Sequence, residues 1–138
     1  MTRPLTWTVS LATGIKSIDA QHQELFERAN RFLVALAQPP TADAARDSLA
    51  YLLRYVQFHF AEEEQHMARL FYPDAEAHRG EHRTFLNRLA AVHNQFESEG
   101  DSPAVRLSVD EMLRGYLLDH IGNVDRRFGE YARSRGAS

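Results

Sequence analysis

Apolar residues recur along the chain at intervals of three and four, the period of a helix with one buried stripe. Leu25, Phe26, Ala29, Phe32, Leu33 and Leu36 make the first stripe, predicting a helix over about residues 19–37. A second, over about 41–73, carries Leu49, Leu52, Leu53, Val56, Phe60 and Met67, and Pro73 forbids its continuation. The third starts near 74, carries Phe85, Leu86, Leu89, Val92 and Phe96, and closes before Ser98. Ser102 as N-cap and Pro103 at the first helical position open the fourth, which runs to about Arg133. Between the stripes the breakers Pro39, Pro40, Pro73 and Gly100 leave loops of only a few residues. Short loops make successive helices antiparallel. The predicted fold is therefore all-α, an up-down-up-down antiparallel four-helix bundle in one domain. An irregular N-terminal arm (1–18) precedes the bundle (19–133), and a tail (134–138) follows it. Trp7, Val9, Leu11 and Ile15 are expected to lay their apolar side chains against the bundle.

Composition narrows the chemistry. The chain has 138 residues, 16 Lys and Arg against 19 Asp and Glu, a net charge of −3 and no Cys. Disulfides, thiolate zinc sites, iron–sulfur clusters and thiol catalysis are thereby excluded. The longest apolar run, 32–37, is far short of the roughly 20 residues that span a bilayer, so no membrane role is expected. Residues 1–10 lack the apolar stretch of a secretory signal, and a cytoplasmic location is expected. Arginines scattered among acidic residues offer no basic face for phosphates, so nucleic acid is not an expected partner.

The seven histidines point to a site. His59 and Glu63, and likewise His78 and His82, lie four apart and share a helix face. His22 falls at the start of the first helix, His59 and Glu63 toward the end of the second, His78 and His82 at the start of the third, and His120 and Asp125 toward the end of the fourth. In an antiparallel bundle those four places are one end. Five imidazoles and two carboxylates then share a layer, more than a single tetrahedral zinc can use. Two metals account for all seven. If Glu63 and Asp125 each bridge, and a solvent-derived oxo or hydroxo group bridges as well, three imidazoles close one ion and two leave the other with an open position. Imidazole and carboxylate ligation suits iron. The interval from His120 to Asp125 is five, about 140° on an ideal helix, and needs either a carboxylate approaching from the side or a local widening of the helix.

Residues 18–26, His59-Phe60-Ala61-Glu62-Glu63, the pair His78 and His82, and His120-Ile121 followed by Asp125 resemble the four motifs of the hemerythrin family, in order and over nearly the whole chain. The resemblance implies that His78, His82 and His120 hold the six-coordinate iron, His22 and His59 the five-coordinate one, and that Glu63 and Asp125 bridge. It implies reversible binding of dioxygen, for storage, delivery or sensing, with an oxygen-consuming enzyme as a partner it leaves unidentified. Leu117 and Ile121 match the positions that line the family's oxygen pocket. Tyr116 stands where many relatives carry Trp, and two roles are open to it: a hydroxyl donor to bound oxygen, or a core aromatic with its hydroxyl satisfied elsewhere. Asp19 is read either as a helix cap or as a residue orienting a ligand imidazole. His93 lies too far along its helix to reach the layer, and Glu62 and Glu64 read as a solvated face. The alternative is a di-iron enzyme activating oxygen, peroxide or nitric oxide. Ferritin-like sites of that kind carry two Glu-x-x-His motifs, and only Glu63 to His66 fits here. An iron store or sensor module is less well supported by a chain read as having no fused partner.

Overall fold

In the computed structural model the protein is described over residues 4–37, 42–99 and 103–138. Four long rods make the fold: α1 (Lys16–Ala37), α2 (Ala42–Arg69), α3 (Ala75–Glu99), and a rod built in three pieces. Those pieces are α4 (Pro103–Asp119), a π-helical turn (His120–Asp125) and α5 (Arg126–Ser134). No strand occurs among the described residues, and the antiparallel bundle is the expected one. Pro39, Pro40 and the Ser102 cap lie outside the described residues, as does the side chain of Phe96.

The apolar stripes pack inward as read. Leu25, Phe26, Ala29, Phe32, Leu49, Leu52, Val56, Phe85, Leu89 and Leu113 are buried in one cluster that fills most of the bundle. A smaller cluster of Ile15, Ile18, Met67, Phe128 and Ala132 closes one end. Between the two clusters, one helical turn from each, lies a layer of buried polar residues.

The arm departs from expectation in two places. Helix α1 starts at Lys16, three residues early, and the arm before it is tied to its first turn. The Thr13 hydroxyl accepts from the Ile15 amide at 3.1 Å. Asp19 accepts from the Thr13 amide and hydroxyl, both at 2.8 Å, and from the Gly14 amide at 3.2 Å. Asp19 thus fastens the arm to the first turn and orients no imidazole. Val9, expected to pack inward, is 82% exposed. It opens a single 3-10 turn, Val9–Leu11, that turns Leu11 into the core instead. Asn30 holds the arm higher up, accepting from the Leu5 amide and donating to its carbonyl.

The α2–α3 connection ends with a left-handed residue. Phe71 (φ 54°) sits there, with its amide on the Ala68 carbonyl and the Tyr72 amide on the Met67 carbonyl. That is the Schellman pattern, usually made by glycine. Tyr131 from α5 donates its hydroxyl to the Leu70 and Phe71 carbonyls at 2.6 and 3.1 Å, pinning the turn to the last helix. No helix among the described residues is long and apolar enough to cross a membrane.

Candidate metal centre

Every residue proposed for the site from the sequence lies in the polar layer. His22, His59, Glu63, His78, His82, His120 and Asp125 are each no more than 3% exposed. Four-residue spacing brings His59 with Glu63, and His78 with His82, onto inward faces of α2 and α3. The interval of five between His120 and Asp125 is absorbed by the π turn that spans these two residues. Hydrogen bonds in such a turn run from residue i to i+5, so residues five apart stack on one face, as residues four apart do in an α-helix.

The side chains divide into two sets that share both carboxylates. Glu63, His78, His82, His120 and Asp125 form one set, and His22, His59, Glu63 and Asp125 the other, with ligand atoms in each within 4.8 Å of one another. The carboxylate oxygens divide likewise. Glu63 Oε1 lies 2.8 Å from His78 Nε2 and 3.2 Å from His82 Nε2, while Oε2 lies 3.8 Å from His22 Nε2 and 3.7 Å from His59 Nε2. Asp125 Oδ1 lies 2.9 Å from His78 Nε2 and 3.0 Å from His120 Nε2, and its Oδ2 lies 3.0 Å from His22 Nε2.

Several of these atoms lie at ion-pair distance, but none has hydrogen-bond geometry toward another. All five Nε2 atoms and all four carboxylate oxygens are buried without a hydrogen bond of acceptable geometry. Buried polar atoms left unpaired cost about 1–3 kcal/mol each, more when charged, and so many at one place are an unfilled demand for ligands. Converging imidazole and carboxylate donors meet that demand with a first-row divalent metal. The donor set therefore fits a pair of metal ions.

Charge balance agrees. Burial opposes a charge on His78, but Asp125 and Glu63 outweigh it and raise the imidazole to about 10. Burial opposes a charge on His120 too, and Asp125 again prevails to raise it. Burial likewise opposes ionisation of Asp125, yet His120, His22 and His78 hold it well below the usual carboxylate range. His59 goes the other way, burial pushing it down to about 4. Without metal, a proton on His78 supplies positive charge between the two carboxylates.

The outer nitrogens of three imidazoles have partners that the sequence reading missed. His59 Nδ1 lies 2.7 Å from Gln21 Oε1, His82 Nδ1 lies 2.8 Å from Glu64 Oε2, and His120 Nδ1 lies 3.1 Å from Glu81 Oε1. Glu64, expected on a solvated face, is thus tied to the site. Each partner is the immediate sequence neighbour of a site residue, about 100° round its helix and so aimed at the helix beside it. That signal was present, but it requires knowing which helices adjoin. A carboxylate oxygen only accepts, so Nδ1 of His82 and His120 carries the proton and Nε2 turns a lone pair inward. His66 pairs with Arg69, away from the layer.

Aromatic rings wall the three-histidine side. Phe60 stacks on His82 at 3.7 Å between centroids, and Tyr116 stacks on His120 at 4.6 Å and on Phe85 at 3.6 Å. The Tyr116 hydroxyl is buried with no hydrogen-bond partner, so of the two roles open to it, that of a core aromatic with its hydroxyl satisfied elsewhere is not met. Leu117 and Ile121 are buried within a turn of His120, at 1% exposure each.

A family model described as the hemerythrin HHE cation binding domain matches residues 13–132. A bacteriohemerythrin of Stenotrophomonas maltophilia is 29% identical over 130 residues, covering 94% of this chain and 82% of the relative. One from Methylococcus capsulatus is 29% identical over 126 residues, covering 91% and 94%. The crystal structure of a wild-type hemerythrin superposes with a TM-score of 0.81 at 26% identity, covering 94% of this chain and 98% of that one.

Proposed function

Because the chain belongs to the hemerythrin family, we propose that its buried layer is a non-heme di-iron centre that binds dioxygen reversibly. The observation that carries this reading is the division of seven buried donors into two sets sharing Glu63 and Asp125. His78, His82 and His120 would hold one iron and His22 and His59 the other, with Glu63 and Asp125 shared between them and a solvent-derived oxo or hydroxo group expected as part of the pair. When bound, a ferrous pair of this kind would supply two electrons together to dioxygen.

The protein's own part is to aim, insulate and hold protons. The Nδ1 protons of His82 and His120, given to Glu64 and Glu81, fix ring orientation and keep Nε2 bare. Leu25, Val56, Leu117 and Ile121 on one side, with Ile18, Met67 and Phe128 on the other, exclude water from the layer. A dry layer would keep solvent water and its protons away from the metal pair. Leu117 and Ile121 form the wall of the oxygen pocket, and Tyr116 holds an unshared hydroxyl proton beside it. The protein works in the cytoplasm as a binding protein.

The test is anaerobic reduction followed by oxygen. A visible absorption band should appear with oxygen and fade under argon through repeated cycles. A band that decays once, with product released, would instead identify an oxygen-activating enzyme.

A further inference from the structure

The three outer-nitrogen partners follow a rule. Gln21 precedes His22 on α1 and serves His59 on α2; Glu64 follows Glu63 on α2 and serves His82 on α3; Glu81 precedes His82 on α3 and serves His120 on the fourth rod. The neighbour used alternates from the residue before to the residue after because chain direction alternates. Turned into space, the choice is the same each time: every helix passes a side chain to the next helix in one rotational sense. Carried round once more, the rule offers two residues on the fourth rod for His22 on α1, the one after His120 and the one after Asp125. They are Ile121, an apolar side chain at 1% exposure, and Arg126, which is exposed. Neither serves it: His22 Nδ1 is buried without a partner, as is His78 Nδ1.

From α1 to the fourth rod the partners passed on therefore read amide, carboxylate, carboxylate and none. Both carboxylates fall on imidazoles of the three-histidine set, and the two-histidine set receives one neutral amide and nothing charged. A carboxylate on the outer N–H raises the basicity of the imidazole it holds, and losing such a partner typically costs about 10–100-fold in metal affinity. We propose that Glu64 and Glu81 are positioning residues whose charge makes the three-histidine half the tighter metal site. The neutral Gln21 on His59 and the unpartnered Nδ1 of His22 keep the two-histidine half the weaker donor, so the halves load in order and remain chemically unequal. This rests on the di-iron reading above and adds the origin of the asymmetry between the two ions.

The experiment is calorimetric titration of the metal-free chain with cobalt(II), its fold checked by circular dichroism. Wild type should take two ions in two resolved steps. Glu64→Gln with Glu81→Gln keeps an acceptor oxygen on each Nδ1 proton but removes the charge. It should weaken the first step by about 10–100-fold for each residue and leave the second within about threefold. Gln21→Glu, made separately, should strengthen the second step by at least about tenfold and bring the two together. If the paired glutamine variant binds as wild type does while Glu64→Ala does not, the carboxylates act by shape alone and the proposal fails. It fails equally if both steps shift together, or if Gln21→Glu leaves the weaker step unchanged. Uptake of only one cobalt per chain is a different failure, since it removes the two-metal reading itself.

Discussion

Gly129 lies one turn beyond Asp125, where α5 passes the arm. A Cβ built there would run into the Thr13 carbonyl oxygen and stand 2.8 Å from Thr13 Cβ and 2.9 Å from Thr13 Cα. Two of these three atoms are backbone, so no rotamer change relieves the clash, and Thr13 is itself fastened to Asp19 through its amide and hydroxyl. Gly129→Ala gains about 1 kcal/mol of helix propensity. Against that stands an overpacking cost of about 1–3 kcal/mol, at the upper end for a fixed backbone contact. The net is a loss of roughly 1–2 kcal/mol, or about 3–10 °C in Tm for a domain of this size. Gly115 supplies the control. It is exposed in α4, and a Cβ there meets nothing within 4 Å. Gly115→Ala should therefore raise stability by up to about 1 kcal/mol. Thermal melts of the two variants and wild type, in the same metal state, decide the matter. Opposite signs are expected; a Gly129→Ala melt at or above wild type would refute the claim that backbone contact sets the arm against the last helix. Because the arm is anchored three residues before His22, the same variant should also lose bound oxygen to autoxidation faster.

Four further outcomes are expected. Phe71→Gly should stabilise the fold by about 0.5–1 kcal/mol in denaturant titration, since a left-handed backbone costs a non-glycine residue about 1–2 kcal/mol, glycine returns part of that as chain entropy, and a ring 86% exposed gives up little burial. Tyr116→Phe should change the autoxidation rate of the oxygen-bound protein if the unpartnered hydroxyl acts in the pocket, and equal rates would dismiss that role. Metal-free protein should lose stability as pH rises from about 6.5 through about 10, because His78 is raised and the folded chain binds a proton there that the unfolded chain releases. His59 is depressed to about 4, so its contribution is present above about 6.5 and is lost as pH falls toward 4. Metal uptake should accordingly release protons and tighten with rising pH, seen by titration in buffers of different ionisation enthalpy.

Apolar spacing carried the bundle because each long helix had one side to bury, and direction alone then placed His22, His59, His78 and His120 at one end. The i,i+4 pairs were legible for the same reason. His120 and Asp125 showed as a misfit of about 140°, and of the two remedies read from it, a carboxylate approaching from the side or a widened helix, the structure has the second, a π turn. Gln21, Glu64 and Glu81 stayed hidden because their partners lie on other helices, 18 to 39 positions away in the chain. Val9 misled because alternation of apolar residues in an arm does not say which of them a 3-10 turn will face inward.

The account stands on two metal ions sharing one set of donors. Crystals of the iron-loaded protein measured at the iron absorption edge should show two anomalous peaks of equal height in the buried layer, with Glu63 and Asp125 each touching both. One peak, or imidazoles turned outward from the layer, would contradict it.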